Sequence, residues 1–122
     1  MNHRLHGLVL IFIGHLLCGC GSAKEHSIAV QDMRQIKMGL AIYQMDYGAF
    51  PSTSDGLQLL IVKVQGTGIR GPHVYGPYLD SPVPTDSWGH SYVYHNPGVN
   101  GAAYDLLSCG PDGKEGDGDD IR

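Results

Sequence analysis

The chain has 122 residues, enough for one domain and too few for two ordinary ones. Lys and Arg number 8 against 12 Asp and Glu, a formal charge of -4, which argues against a nucleic-acid binder with the basic face it would need. At 42% hydrophobic and 16% charged residues it is no solvated disordered tail, and its 18 glycines follow no Gly-X-Y repeat, so it is not collagen. A glycine excess in a globular composition implies many turns with positive φ, or backbone brought close to something.

Residues 1–19 read as a targeting signal. Arg4 precedes an apolar run from Leu8 to Leu17. At about ten residues this run falls short of the ~20 that span a bilayer, and it has the size of a signal-peptide core. It ends in Leu17-Cys18-Gly19-Cys20. That ending resembles the lipobox of bacterial lipoproteins, with a Leu three residues before a Cys and a small residue beside it. The resemblance implies lipidation at Cys20 and an exported protein anchored in a membrane, facing the periplasm or the cell surface. A plain secretory signal is the alternative. With Cys20 lipidated, Cys109 has no partner for an internal bridge, so no disulfide framework is expected.

The expected domain order is a tether at 20–27 and one globular domain at 28–122. Ser22–His26 reads as a polar linker and Ser27 as a helix N-cap. Met33, Ile36, Leu40, Tyr43 and Tyr47 recur at spacings of three and four, which predicts a helix over 28–47 stopped by Gly48 and Pro51. Met33, Met38 and Met45 share that helix; a soft binding face is the alternative, but at helical spacing core packing is the expectation. A second short helix is expected over 56–64, capped by Ser54-Asp55, with Leu57, Leu60, Ile61 and Val64 inward. Residues 65–77 read as a Gly-rich loop. Three strands follow, at 78–79, 91–95 and 103–108, with Tyr92 and Tyr94 on one side and Val93 on the other. The fold class is α+β: one long helix on a small antiparallel sheet of about three strands, with long loops.

The ordered pieces Asp46-Tyr47-Gly48-Ala49-Phe50-Pro51, Gly56-Leu57-Gln58, Gly76-Pro77-Tyr78-Leu79, Pro84-Thr85-Asp86-Ser87-Trp88-Gly89, Tyr92-Val93-Tyr94 and the stretch from Asp105 to Gly113 resemble the major pseudopilins of the type II secretion system. The resemblance covers about residues 28–121. It implies a pilin-like fold, a non-enzymatic structural role in protein secretion, and secretion components or other pseudopilins as partners. It also implies neither a nucleic-acid partner nor a small-molecule substrate.

The chain ends in the acidic, Gly-rich run from Gly110 to Asp120. Calcium takes six to eight oxygen ligands. Asp112, Asp117, Asp119 and Asp120 offer side-chain oxygens, and the glycines let the backbone curl so that carbonyls turn inward. The run fits no EF-hand loop. From the residues alone, a solvated acidic tail remains an equal alternative. The pseudopilin resemblance implies a single structural Ca²⁺ site, with side-chain ligands from Asp112, Asp119 and Asp120 and backbone carbonyls from Cys109 and Lys114. Asp117 is then an outer ligand, and Glu115 faces outward.

The amino terminus departs from that family. Pseudopilins resemble pilins in carrying a Gly before the cleavage point, a Glu at position five after it, and an apolar helix of ~20 residues as anchor and polymer core. None of these motifs stands in this sequence, so a lipid-anchored relative that does not polymerise through such a helix is expected. Two other readings stay open. One is a small periplasmic or surface enzyme with zinc on His73, His90, His95 and Cys109, although no tight ligand spacing supports it. The other is a soluble secreted binding module.

Overall fold

The computed structural model describes residues 20–80 and 82–122, with side chains from residue 23 onward. The signal expected at 1–19 lies outside the described residues. Helix α1 spans Cys20–Tyr47. The segment expected as a tether is therefore helical, and Ser27 lies inside the helix rather than capping it. The first buried side chain, Ala29, comes two residues later.

The inward stripe is as the spacing predicts. Ala29, Met33, Ile36 and Leu40 are buried and meet Leu57, Leu60, Tyr92, Tyr94, Leu106 and Ile121 in one core. Full burial of such a side chain stabilises by roughly 1.5–3 kcal/mol. Met38 and Met45, expected in that core, instead stand 66% and 64% exposed, with Ile42 between them at 43%. They lie at i, i+4 and i+7 on a face that α1 does not turn to the body. Gly48 donates its N–H to Gln44 O at 2.7 Å and ends the helix. Pro51 is then fully buried.

A 3-10 turn at Gly56–Leu60 replaces the expected second helix, with Leu57 and Leu60 buried as anticipated. The expected Gly-rich loop is a hairpin. Strands β1 (Val64–Gly68) and β2 (Gly71–Tyr75) pair antiparallel from Val64↔Tyr75 to Gly68↔Gly71. The end of α1 holds this hairpin. Ile69 N–H donates to Asp46 O at 2.6 Å, and the Tyr47 and Tyr75 rings lie 5.1 Å apart. Tyr78 and Leu79, expected as a strand, form none. Their N–H groups both donate to Leu60 O, at 2.7 and 2.9 Å.

The second sheet pairs β3 (Val93–His95) with β4 (Asp105–Leu107), Tyr94 opposite Leu106. Tyr92 and Tyr94 are buried and Val93 half-buried, as alternation requires. Isolated bridges, Thr85↔Ser91 and Ser108↔Ile121, continue the pairing beyond the named strands. The fold is thus one long helix on small antiparallel sheets, and the second bridge positions the acidic loop.

Candidate metal centre

The base of the acidic loop is a closed backbone ring. Ser108 and Ile121 exchange N–H···O=C bonds of 2.9 Å each. The residues between them must bulge outward, and they do so with little apolar anchoring: every residue from Pro111 to Asp119 is exposed.

Oxygens of Asp112, Asp117 and Asp119 lie within 4.8 Å of one another, the one such His, Cys, Asp or Glu group among the described residues. Asp112 and Asp119 therefore meet as expected. Asp117, expected as an outer ligand, stands with them. Asp120, expected inside the set, is outside this group. Its Oδ2 accepts Gly116 N–H at 2.9 Å and an Arg122 N–H at 3.3 Å. Its Oδ1 is buried with no hydrogen-bond partner. Among the described residues no hydrogen bond engages the carbonyl of Cys109 or of Lys114. Both stay available as oxygen donors.

The electrostatics follow from crowding. The Asp117 carboxyl is pushed up to about 6, first by its hydrogen bond to Asp119, then by desolvation and by Asp112. Asp112 is held lower than usual, chiefly by the Lys114 N–H, which donates to its Oδ1 at 2.8 Å. Without a cation, a proton on Asp117 relieves the repulsion. A divalent ion can do the same for all three groups. The donors present (carboxylates, free carbonyls and an unpartnered buried oxygen) are all oxygen, the set that suits a hard cation such as Ca²⁺.

The zinc candidates are not gathered. The His73 ring packs edgewise on Tyr75, and His95 pairs with Glu115 at 3.1 Å. Glu115 is exposed, as expected, and also ties the loop to β3. His90 meets the Gly110 carbonyl at 3.1 Å. Cys109 is buried, and burial pushes its thiol up, which leaves it a poor nucleophile.

Sequence reasoning missed Asp86. It is 4% exposed, in the turn between the Thr85 and Ser91 bridge partners. Its Oδ1 accepts the N–H groups of Trp88 at 3.1 Å and His90 at 2.8 Å, and its Oδ2 accepts the Ser108 hydroxyl at 2.6 Å. Asp-x-Trp-Gly carried the signal for the turn. Nothing local marked Ser108, 22 residues away.

One long helix laid on small antiparallel sheets, with a looped carboxyl end, defines a pilin-type structural domain. Comparison with known proteins gives the family. The family model described as Type II secretion system (T2SS), protein G matches residues 17–122. The type II secretion system core protein G of Escherichia coli is 35% identical over 121 residues, covering 93% of this chain and 82% of that protein. The Pseudomonas aeruginosa protein of the same name is 39% identical over 93 residues, covering 76% and 64%. The crystal structure of the major pseudopilin from the type 2 secretion system of enterohaemorrhagic Escherichia coli superposes with a TM-score of 0.70 at 30% identity, covering 86% of this chain and 87% of that one. The chain belongs to the type II secretion system protein G family, the major pseudopilins.

Proposed function

We propose that this chain is a calcium-stabilised structural subunit of protein secretion, exported and held at a membrane by a lipid on Cys20. The observation that carries the calcium reading is the convergence of Asp112, Asp117 and Asp119, together with a buried, unpartnered Asp120 oxygen in the same loop, on a segment with almost no apolar anchoring. Asp112, Asp119 and either Asp117 or Asp120 would hold the ion, with the Cys109 and Lys114 carbonyls as further donors. The ion supplies charge neutralisation and a fixed centre for a loop that cannot pack itself. Its role is structural.

The lipid anchor rests on the Leu17-Cys18-Gly19-Cys20 sequence. No helix among the described residues is long and apolar enough to cross a membrane. The partner side is supported by the exposed, uncharged run of Met38, Ile42 and Met45 on α1. That face fits an apolar helix of a neighbouring pseudopilin.

Trp88 is the sole tryptophan, and it lines a cleft of about 260 Å³ with Asp119, Asp120 and Ile121. A calcium titration followed by Trp88 fluorescence should give a saturable change that EDTA reverses. A signal flat in calcium that stays flat when metal content is assayed would remove the calcium reading. The anchor is tested separately by fatty-acid labelling in cells. Labelling and membrane fractionation should be lost in Cys20→Ser, and their persistence would defeat it.

A further inference from the structure

Gly110 opens the acidic loop, and both its backbone polar groups are held by side chains. Its N–H donates to Ser108 Oγ at 3.2 Å. Its carbonyl, which can only accept, lies 3.1 Å from His90 Nδ1, so that nitrogen carries the proton. Ser108 and His90 are themselves fixed by one buried group. Asp86 takes the Ser108 hydroxyl on Oδ2 at 2.6 Å and the His90 backbone N–H on Oδ1 at 2.8 Å. Ser108 is wholly buried.

Peptide planarity gives this arrangement a consequence. The Gly110 N–H and the Cys109 carbonyl belong to one trans peptide and point in opposite directions. Holding the N–H on Ser108 Oγ therefore turns the Cys109 carbonyl away from Ser108. Holding the Gly110 carbonyl on His90 fixes the next peptide plane. Gly110 is left at φ +65°, a conformation that other L-residues rarely adopt. The His90 ring also lies over Gly113, where an added Cβ would come within 2.8 Å of Nε2. The Gly113 N–H also donates to the Gly110 carbonyl, at 3.3 Å, so the first turn of the loop is set jointly by its own backbone and by Ser108 and His90 from outside it.

We propose that Asp86, Ser108 and His90 are positioning residues for the calcium loop: they aim the Cys109 carbonyl and hold the Gly110–Gly113 turn in the cation-ready arrangement. The inference rests on the calcium reading above. Outer groups that orient metal ligands commonly govern affinity by roughly 10–100-fold.

The test is calorimetric calcium affinity of the full exported chain, with calcium alone as the probe, alongside thermal melts in EDTA. His90 is partly exposed, so His90→Ala should fold. Its calcium Kd should rise about tenfold or more. His90→Asn, whose amide can still donate to the Gly110 carbonyl, should recover part of that loss. Ser108→Ala, which frees the Gly110 N–H, should weaken calcium binding as well. A merely structural role would lower the EDTA melt and leave Kd unchanged, and that result for both His90→Ala and Ser108→Ala overturns the inference. If the unmodified chain binds no calcium, the calcium reading falls and this inference with it. If that chain binds and the variants bind equally, only this inference falls.

Discussion

Two carboxylate sites sit a few residues apart in space and solve opposite problems. Asp86 is buried and complete, with two backbone N–H groups on one oxygen and a hydroxyl on the other. Asp112, Asp117 and Asp119 are exposed and crowded, and the donors among them are single loop N–H groups. The comparison teaches that the number of acids does not decide the need for a cation. The supply of donors does. A lone buried carboxylate with three donors is self-sufficient, whereas three exposed ones sharing little but each other gain from a proton or, on the calcium proposal, from a cation.

The largest expected effect breaks the first site. Asp86→Ala strands the buried Ser108 hydroxyl and two part-buried N–H groups, which should cost roughly 3 kcal/mol in urea unfolding. That loss should be present in EDTA, where no ion is bound, and larger in calcium, because the same change loosens the proposed hold on the Cys109 carbonyl. Next comes the second site. An ion at a hundred times its Kd stabilises by about 2.7 kcal/mol, and Asp119→Ala combined with Asp120→Ala should remove that whole increment while leaving the EDTA baseline nearly unchanged.

A smaller effect concerns pH. The folded Asp117 carboxyl titrates near 6, against an ordinary value of 3.8. Its folded value is raised, so its contribution to stability is present below about 4 and lost as pH rises through 6. Asp112 is shifted the other way, and its contribution is lost only as pH falls below 3.8. Melts in EDTA should therefore weaken from pH 4 to 6. Excess calcium should reverse the trend, because the ion takes the site that the proton leaves. Asp117→Asn should flatten both slopes. The smallest effect on the isolated chain is at the outer face of α1. Ile42→Lys should change stability by about 0.5 kcal/mol or less. It should nonetheless reduce recovery with a partner pseudopilin in cross-linking; undiminished cross-linking would exclude that face.

The parts of the fold that obey a short-range rule were legible in the sequence. Met33, Ile36 and Leu40 follow the helical period and are buried, and Tyr92 and Tyr94 alternate as a strand should. The start of α1 was not, because the polar Ser22–His26 segment offers no periodic signal and lies beyond the buried stripe. The hairpin at 64–75 was hidden by its glycines, which read as a loop. Its strands are held from outside, by the Asp46 carbonyl and the Tyr47 ring. Met38 and Met45 kept the helical spacing but fall on the other face of α1.

The candidate metal centre divides in the same way. Its location was evident from the Gly/Asp run, and the meeting of Asp112 with Asp119 was anticipated. The presence of Asp117 in the cluster, and the withdrawal of Asp120 to Gly116 and Arg122, depend on how the loop folds back over four residues. Spacing alone does not fix that. The Asp86 hub depends on Ser108, and no local pattern links a turn to a strand end 22 residues on.

The most direct measurement is a pair of thermal melts of the exported chain, one in EDTA and one in excess calcium. The melting temperature should be higher in calcium by about 10 °C near saturation and should rise with calcium concentration. The increment should be absent when Asp119 and Asp120 are both alanine. Superimposable melts of the unmodified chain would contradict the calcium reading.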